Sequence, residues 1–202
     1  GVSLFLVDTK SPGFTRGQNL EKIGQHAGDT SELFFNDLRV PADALLGGVE
    51  GQGFVQMMRE LPRERLIIGV QAVYGAKGAL DATVKYVQER QAFGQAIGQF
   101  QNTRFTLAQC ASDIAAAEAF LNASVAAYER GELTPEAASA LKLHTTEVMG
   151  RVADACLQLF GGYGYMAEYP ISRFWTDARV LRIYGGTSEI MKELVARSLL
   201  GR

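Results

Sequence analysis

Five stretches with the apolar spacing of helices, joined by short turn signals, do most to limit how this chain can fold. They cover about 54–89, 101–128, 134–160, 171–178 and 187–200. Long alanine-rich helices with short connections are typical of antiparallel bundles. We therefore predict a mainly α fold whose principal part is an antiparallel helical bundle.

Breakers and caps support these bounds. Thr134 is a good N-cap and is followed by Pro135, which suits a first helical turn. Gly131 is a helix-stop signal. Pro62 lies inside the first helical stretch, where it predicts a kink or a local break.

Residues 1–50 instead carry the signals of β-structure. Residues 2–7 are apolar and β-branched, residues 32–41 form a second such run, and the turn signals Pro12-Gly13 and Gly28-Asp29 lie between them. A glycine cluster at 47–53 then precedes the change to helical spacing. We expect two domains, a remnant of an antiparallel β domain at 1–50 and the bundle at 51–202.

Composition excludes some classes of partner. The net charge of −2 gives no electrostatic footprint for nucleic acid, and no apolar run approaches the ~20 residues of a membrane span. Cys110 and Cys156 lie in apolar helical stretches and are expected to be buried, and so few cysteines favour a cytoplasmic location. The chain starts at Gly1 in mid-strand, which predicts a fragment of a longer protein.

Three glycine-containing runs are candidates for ligand binding. The first run extends from Arg90 through Phe93 and Gly94 to Gln101. Its arginine can contact phosphate oxygens in a bidentate way. Equally, Arg90 could simply stabilise a helix C-terminus. The second run, 158–165, holds consecutive glycines that let a ligand approach the backbone, or that merely connect two helices.

The third run, 183–192, places Gly185-Gly186-Thr187 at a helix start. Free N–H groups there attract oxyanions and carbonyl oxygens. The alternative interpretation is an ordinary helix N-terminus capped by Thr187 or Ser188.

Taken together, the sequences of these three runs and their order along the chain resemble the C-terminal half of acyl-CoA dehydrogenases. The matching stretches are Arg90 to Gln101, Gln158 to Tyr165 and Tyr184 to Glu189, and residues 29–41 resemble the last strands of that family's middle β domain. The resemblance implies FAD-dependent α,β-dehydrogenation of acyl-CoA thioesters, as in fatty acid β-oxidation or branched-chain oxidation. It also implies an electron-transferring flavoprotein as electron acceptor and a homo-oligomer, either a dimer or a tetramer.

The resemblance further implies site residues. Those facing FAD would be Arg90, Gln101, Gln158, Leu159, Phe160, Gly161, Gly162, Thr187, Ser188 and Glu189, with 158–162 typically reaching the FAD of a neighbouring subunit. Those near the acyl-CoA would be Arg63, Arg65, Tyr184, Gly185 and Gly186.

The position of the catalytic base separates subgroups of the family. Many members carry a glutamate after the tyrosine of the third run, where this chain has Gly185. Long-chain and isovaleryl members carry the base on an earlier helix, and residues 60–67 resemble that helix, with Glu64 at the base position. Without the resemblance, Glu64 reads as a surface glutamate between Arg63 and Arg65.

Two other functions stay open from the sequence. The chain could be a catalytically silent helical module for oligomerisation. It could also belong to an acyl-CoA oxidase-like flavoprotein, since reactivity with oxygen cannot be read from these residues.

Overall fold

The computed structural model describes residues 1–201, and the chain divides into two compact units, Gly1–Leu61 and Pro62–Arg202. Helix α1 (Gly53–Glu89) begins in the first unit and ends in the second. It is helical throughout its 37 residues, so the local break predicted at Pro62 is absent. A domain boundary at residue 50 stays a prediction.

The first unit contains a small antiparallel sheet. Strand β1 (Phe14–Asn19) pairs with strand β2 (Ser31–Phe35), with Phe14 opposite Phe35 and an irregularity between Arg16 and Asn19. The Phe14 and Phe35 rings meet edge to face with centroids 5.4 Å apart, an arrangement that aromatic pairs favour. A single 3-10 turn follows at Ala42–Ala44.

Two strand predictions were wrong. Residues 2–7 form only isolated bridges, Val2 with Gln52 and Phe5 with Leu45, because their backbone pairs with irregular segments. The strand predicted over 32–41 ends at Phe35, since the Asn36 N–H donates to Gly13 O (2.8 Å) and Asp37 has a positive φ of 47°. Strand β1 was not predicted.

The second unit is a helical bundle, as predicted. After α1 come α2 (Gln101–Glu129), α3 (Pro135–Phe160), α4 (Pro170–Val180) and α5 (Ser188–Leu200). Helix α3 packs against α2, α4 and α5. The mainly α fold class is confirmed, with five α-helices among residues 1–201. None of the helices described is long and apolar enough to cross a membrane.

Small residues let α1 and α3 approach closely. A Cβ at Gly69 would lie 3.1 Å from Leu141 Cδ2, and a Cβ at Gly75 would lie 3.1 Å from Met149 Cε. Both glycines therefore allow side chains of α3 to sit against the α1 backbone. These contacts set the position of α3 along the axis of α1.

The core between the helices is mostly apolar, although several polar side chains and two cations, Arg65 and Lys142, are also buried. Cys110 and Cys156 are buried in it as free thiols, as predicted. The largest fully buried side chain, however, is that of Lys142 on α3. A buried lysine is rare unless it is paired, so its contacts mark a region of interest.

A tight hairpin follows the end of α1, directly after Arg90. Strands β3 (Gln91–Ala92) and β4 (Gln95–Ala96) are joined by Phe93 and Gly94, both with positive φ. Two successive positive φ angles are typical of two-residue hairpin turns. The Ile97 N–H donates to Arg90 O (2.8 Å), so the hairpin folds back onto the end of α1.

Candidate functional site

The turn between α4 and α5 depends on two glycines. Gly185 has φ +66° and Gly186 has φ +103°, a conformation that side chains disfavour. A Cβ at Gly185 would lie 2.5 Å from Ile68 Cδ1, and one at Gly186 would lie 2.5 Å from Met191 Cε. Position 185 therefore has no room for a carboxylate side chain unless Ile68 moves.

Two buried cations hold the carbonyl groups of this turn. Arg65 Nε donates to Gly185 O (3.4 Å), and its NH1 donates to Ser139 Oγ (3.0 Å). Lys142 Nζ donates to Gly186 O. Arg65 is only 5% exposed and its guanidinium binds the turn, so its predicted place near the acyl-CoA stays a prediction.

Burial perturbs the ionisation of both cations. Desolvation lowers the pKa of Arg65, and the charge of Glu64 acts in the opposite direction. Desolvation, followed by the charge of Arg65, lowers the pKa of Lys142, while Glu147 raises it. The two cations thus repel each other beneath one turn.

Two N–H groups of the same turn have no acceptor. Among residues 1–201, the N–H groups of Gly185 and Thr187 donate no hydrogen bond, whereas the Gly186 N–H closes the hydrogen-bonded turn that contains Gly185. In a trans peptide the C=O and N–H point in opposite directions. Because the carbonyl of Gly186 points at Lys142, the N–H of Thr187 points away from the cations and can donate to a ligand oxygen.

One face of α1 lies along this turn. Ile68 contacts Gly185, and Tyr184 Oη donates to Gln71 Oε1 (2.8 Å). Glu64 precedes Ile68 by four residues and Gln71 by seven, so the three share one stripe of the helix. Glu64 is exposed. It therefore projects from α1 one helical turn before the residue that touches Gly185, and Arg63, also exposed, is its neighbour.

The start of α5 is fixed by polar contacts. Thr187 caps the helix, its Oγ1 accepting from the Ile190 N–H (3.4 Å). Ser188 is buried and donates from Oγ to Glu147 Oε1 (2.7 Å), whereas Glu189 is exposed. The pKa of Glu189 is lowered, first by its own backbone N–H and then by the Thr187 hydroxyl.

A second cluster surrounds an open cavity of about 470 Å³ at the C-terminal end of α3. Its wall combines a cation, exposed glycine backbone and aromatic rings. Six of the predicted FAD residues line it: Arg90, Gln158, Leu159, Phe160, Gly161 and Gly162. Gln101, at the start of α2, is not among the lining residues.

The chemistry of this wall suits a phosphate-bearing group. The Arg90 guanidinium lies 5.2 Å from the centroid of the Tyr163 ring. A Cβ at Gly161 or Gly162 would meet no atom within 4 Å, so the backbone there is open to a ligand. Phe160 is buried and stacks on Tyr86 with ring centroids 4.0 Å apart, which makes the wall rigid.

Several residues that shape the site were missed from the sequence. Ile68, Gln71, Ser139 and Glu147 have no motif that would single them out. Lys142 does have a signal, because it occupies the apolar stripe of α3. The buried positions of that stripe are Ala138, Ser139, Leu141, Lys142, Thr145, Thr146, Val148, Met149, Val152, Ala153, Cys156 and Phe160.

Comparison with known proteins agrees with the resemblance. The family model described as "Acyl-CoA dehydrogenase, C-terminal domain" matches residues 51–200. The chain is 46% identical to the long-chain specific acyl-CoA dehydrogenase, mitochondrial, of Sus scrofa, over 99% of this chain and 46% of that protein. The chain thus spans about half the length of the curated relatives it matches.

Solved structures share the fold closely. An acyl-CoA dehydrogenase from Geobacillus kaustophilus superposes with a TM-score of 0.95 at 44% identity, over 98% of this chain and 52% of that one. A chain from a study of the electron transferring flavoprotein of Acidaminococcus fermentans gives a TM-score of 0.94 at 38% identity, over 99% and 52%. With the family model covering most of its residues, this chain belongs to the acyl-CoA dehydrogenase family.

Proposed function

We propose that the full-length protein is an FAD-dependent acyl-CoA dehydrogenase with Glu64 as its catalytic base. The observation that carries this proposal is the pairing of two features on one side of α1. The turn at Gly185 offers free N–H groups but no carboxylate. Glu64 supplies a carboxylate on the α1 stripe that packs against this turn.

The reaction removes one hydrogen from each of two neighbouring carbons of an acyl thioester. The α-proton is only weakly acidic, so the enzyme must stabilise the negative charge that develops on the thioester oxygen. The free N–H groups of Gly185 and Thr187 are suited to donate to that oxygen. The Glu64 carboxylate takes the α-proton and becomes a neutral acid, while the α,β double bond forms as the β-hydrogen leaves with its electron pair.

FAD would supply the acceptor for that hydride when bound. The residues fit its pyrophosphate, because Arg90 offers a bidentate guanidinium beside the open backbone of Gly161 and Gly162. We propose that Gln158, Leu159 and Phe160 contact the same dinucleotide. We assign Gln101, Thr187, Ser188 and Glu189 to FAD as well, with Thr187 and the exposed Glu189 more accessible than the buried Ser188.

Substrate contacts follow from the turn. We propose that Tyr184, Gly185 and Gly186 border the thioester and that the exposed Arg63 binds acyl-CoA. Electrons would then pass to an electron-transferring flavoprotein. Exposed apolar side chains such as Phe105 and Tyr165 support a dimer or tetramer, and two free thiols agree with a cytoplasmic location.

The test is Glu64→Gln in the full-length protein. Glutamine keeps the size of the side chain but cannot accept the α-proton, so turnover of acyl-CoA should fall about 10²- to 10⁴-fold. FAD content, measured by visible absorbance, should not change. Glu129→Gln, an exposed glutamate at the end of α2, is the matched control and should keep normal turnover.

The outcomes separate the alternatives. Near-normal turnover in Glu64→Gln would remove Glu64 as the base while leaving the family reaction intact. A wild-type protein that binds no FAD would favour the silent helical module. Rapid reoxidation of the reduced protein by oxygen, with peroxide as product, would favour the oxidase.

A further inference from the structure

The two buried cations beneath the turn have no part in the reaction as described above. Lys142 is fully buried, and within residues 1–201 it forms no ion pair. Glu147, the carboxylate that influences its pKa, already binds Ser188 and Arg182. The ammonium group of Lys142 therefore relies on a neutral acceptor, the carbonyl of Gly186.

Stability alone does not explain a lysine at this position. Burying an ammonium group is costly, and an apolar side chain of similar length is often neutral or stabilising at such a site. The repulsion from Arg65 adds to the cost. Because the buried charge of Lys142 is unfavourable for stability, we look for its role in the turn that it binds.

The geometry of the peptide supplies that role. A cation at a carbonyl oxygen polarises the amide, so the N–H at its other end becomes a stronger donor. Lys142 acts in this way on the peptide between Gly186 and Thr187, and Arg65 acts on the one between Gly185 and Gly186. Of the two N–H groups, that of Thr187 has no acceptor among residues 1–201 and points away from the cations.

We propose that Lys142 and Arg65 are positioning residues that hold the carbonyl groups of the 185–187 turn, and that Lys142 strengthens the Thr187 N–H as a donor to the thioester oxygen. This inference rests on the proposed function and adds the residues that make the turn an oxyanion site. The roles of the two cations are separable, because Arg65 also binds Ser139 and can hold its own peptide after Lys142 is lost.

The experiment compares Lys142→Met with Lys85→Met in the full-length protein. Methionine fills the volume of the lysine stem without its charge. Lys85 is an exposed residue of α1 and serves as the matched control. Urea unfolding first checks that both variants are folded.

Three measurements then test the positioning role. In Lys142→Met, kcat should fall about 10-fold or more with little change in KM, because the lost interaction is strongest in the transition state. Amide hydrogen exchange at Ser188 and Met191, whose N–H groups bind Arg182 O and Thr187 O, should become about 10-fold faster. Wild-type kcat should decline at alkaline pH as Lys142 loses its proton, and Lys142→Met should lack that decline.

Burial and the charge of Arg65 lower the pKa of Lys142, and Glu147 opposes them. Because a lysine loses its proton as pH rises through its pKa, the change in kcat is expected on the alkaline side. Unchanged kcat and unchanged exchange in Lys142→Met would overturn the proposal, as would equal effects in Lys85→Met. If the wild type does not dehydrogenate acyl-CoA, the proposed function fails. The exchange measurement then decides by itself whether Lys142 holds the turn.

Discussion

Replacing Gly185 with alanine should destabilise the protein by about 2–5 kcal/mol, the sum of two separate costs. The left-handed backbone at φ +66° costs an alanine about 1–2 kcal/mol. The new Cβ would also lie 2.5 Å from Ile68 Cδ1, and such overpacking costs about 1–3 kcal/mol. The same two costs oppose a glutamate at this position.

A matched variant isolates the backbone cost. Gly131 has a similar φ of +72°, but a Cβ there meets no atom within 4 Å. Gly131→Ala should therefore cost only about 1–2 kcal/mol. The difference between the two alanine variants measures the contact with Ile68.

A double variant checks the identity of that contact. Ile68→Val removes Cδ1 at a cost of about 0.5–1.5 kcal/mol by itself. In the Ile68→Val background, Gly185→Ala should lose most of its steric cost. Urea unfolding of the four proteins gives the coupling free energy. Equal losses for Gly185→Ala and Gly131→Ala, or no relief from Ile68→Val, would refute this explanation of the glycine.

Two further predictions concern the starts of helices. Thr134→Ala should destabilise the protein by about 0.5–2 kcal/mol in urea unfolding, because Thr134 Oγ1 accepts from the Ala137 N–H (3.2 Å). Thr134→Ser should retain the cap, and equal losses of stability in both variants would contradict this prediction. The lowered pKa of Glu189 means that its carboxylate stabilises the fold above its ordinary pKa and that this contribution is lost as pH falls through the lowered value. Glu189→Gln should therefore be less stable than wild type at neutral pH and equal to it in acid, and a difference independent of pH would count against the assignment.

Helices were the part of the fold that the sequence predicted well. Periodic apolar residues and strong end signals, such as the cap at Thr134, place α2 and α3 within a residue or two of their observed ends. Strands were predicted less well, because their pairing depends on distant segments. Strand β1 contains Arg16, Gly17 and Gln18, so its sequence lacks the β-branched, alternating pattern that marks a strand.

The candidate site was predictable only where a motif spans it. The family resemblance predicted Arg90 and the glycines at 161–162 as residues that face FAD, and in the structure they line one cavity. It did not reveal Ile68, whose contact with Gly185 comes from tertiary packing. Lys142 could have been suspected as a charge on an apolar stripe, but its partner lies 44 residues away and follows from the fold alone.

Helix α3 imposes a length constraint on how this protein can evolve. Lys142 holds the turn from a position about two turns into α3, and Gln158 borders the cavity near the end of α3, about 24 Å further along at 1.5 Å per residue. Deleting one residue between them would rotate one end by about 100° against the other. Lys142 would then leave Gly186 or the cavity would lose its wall. Substitutions can accumulate in this segment, whereas its number of residues is fixed.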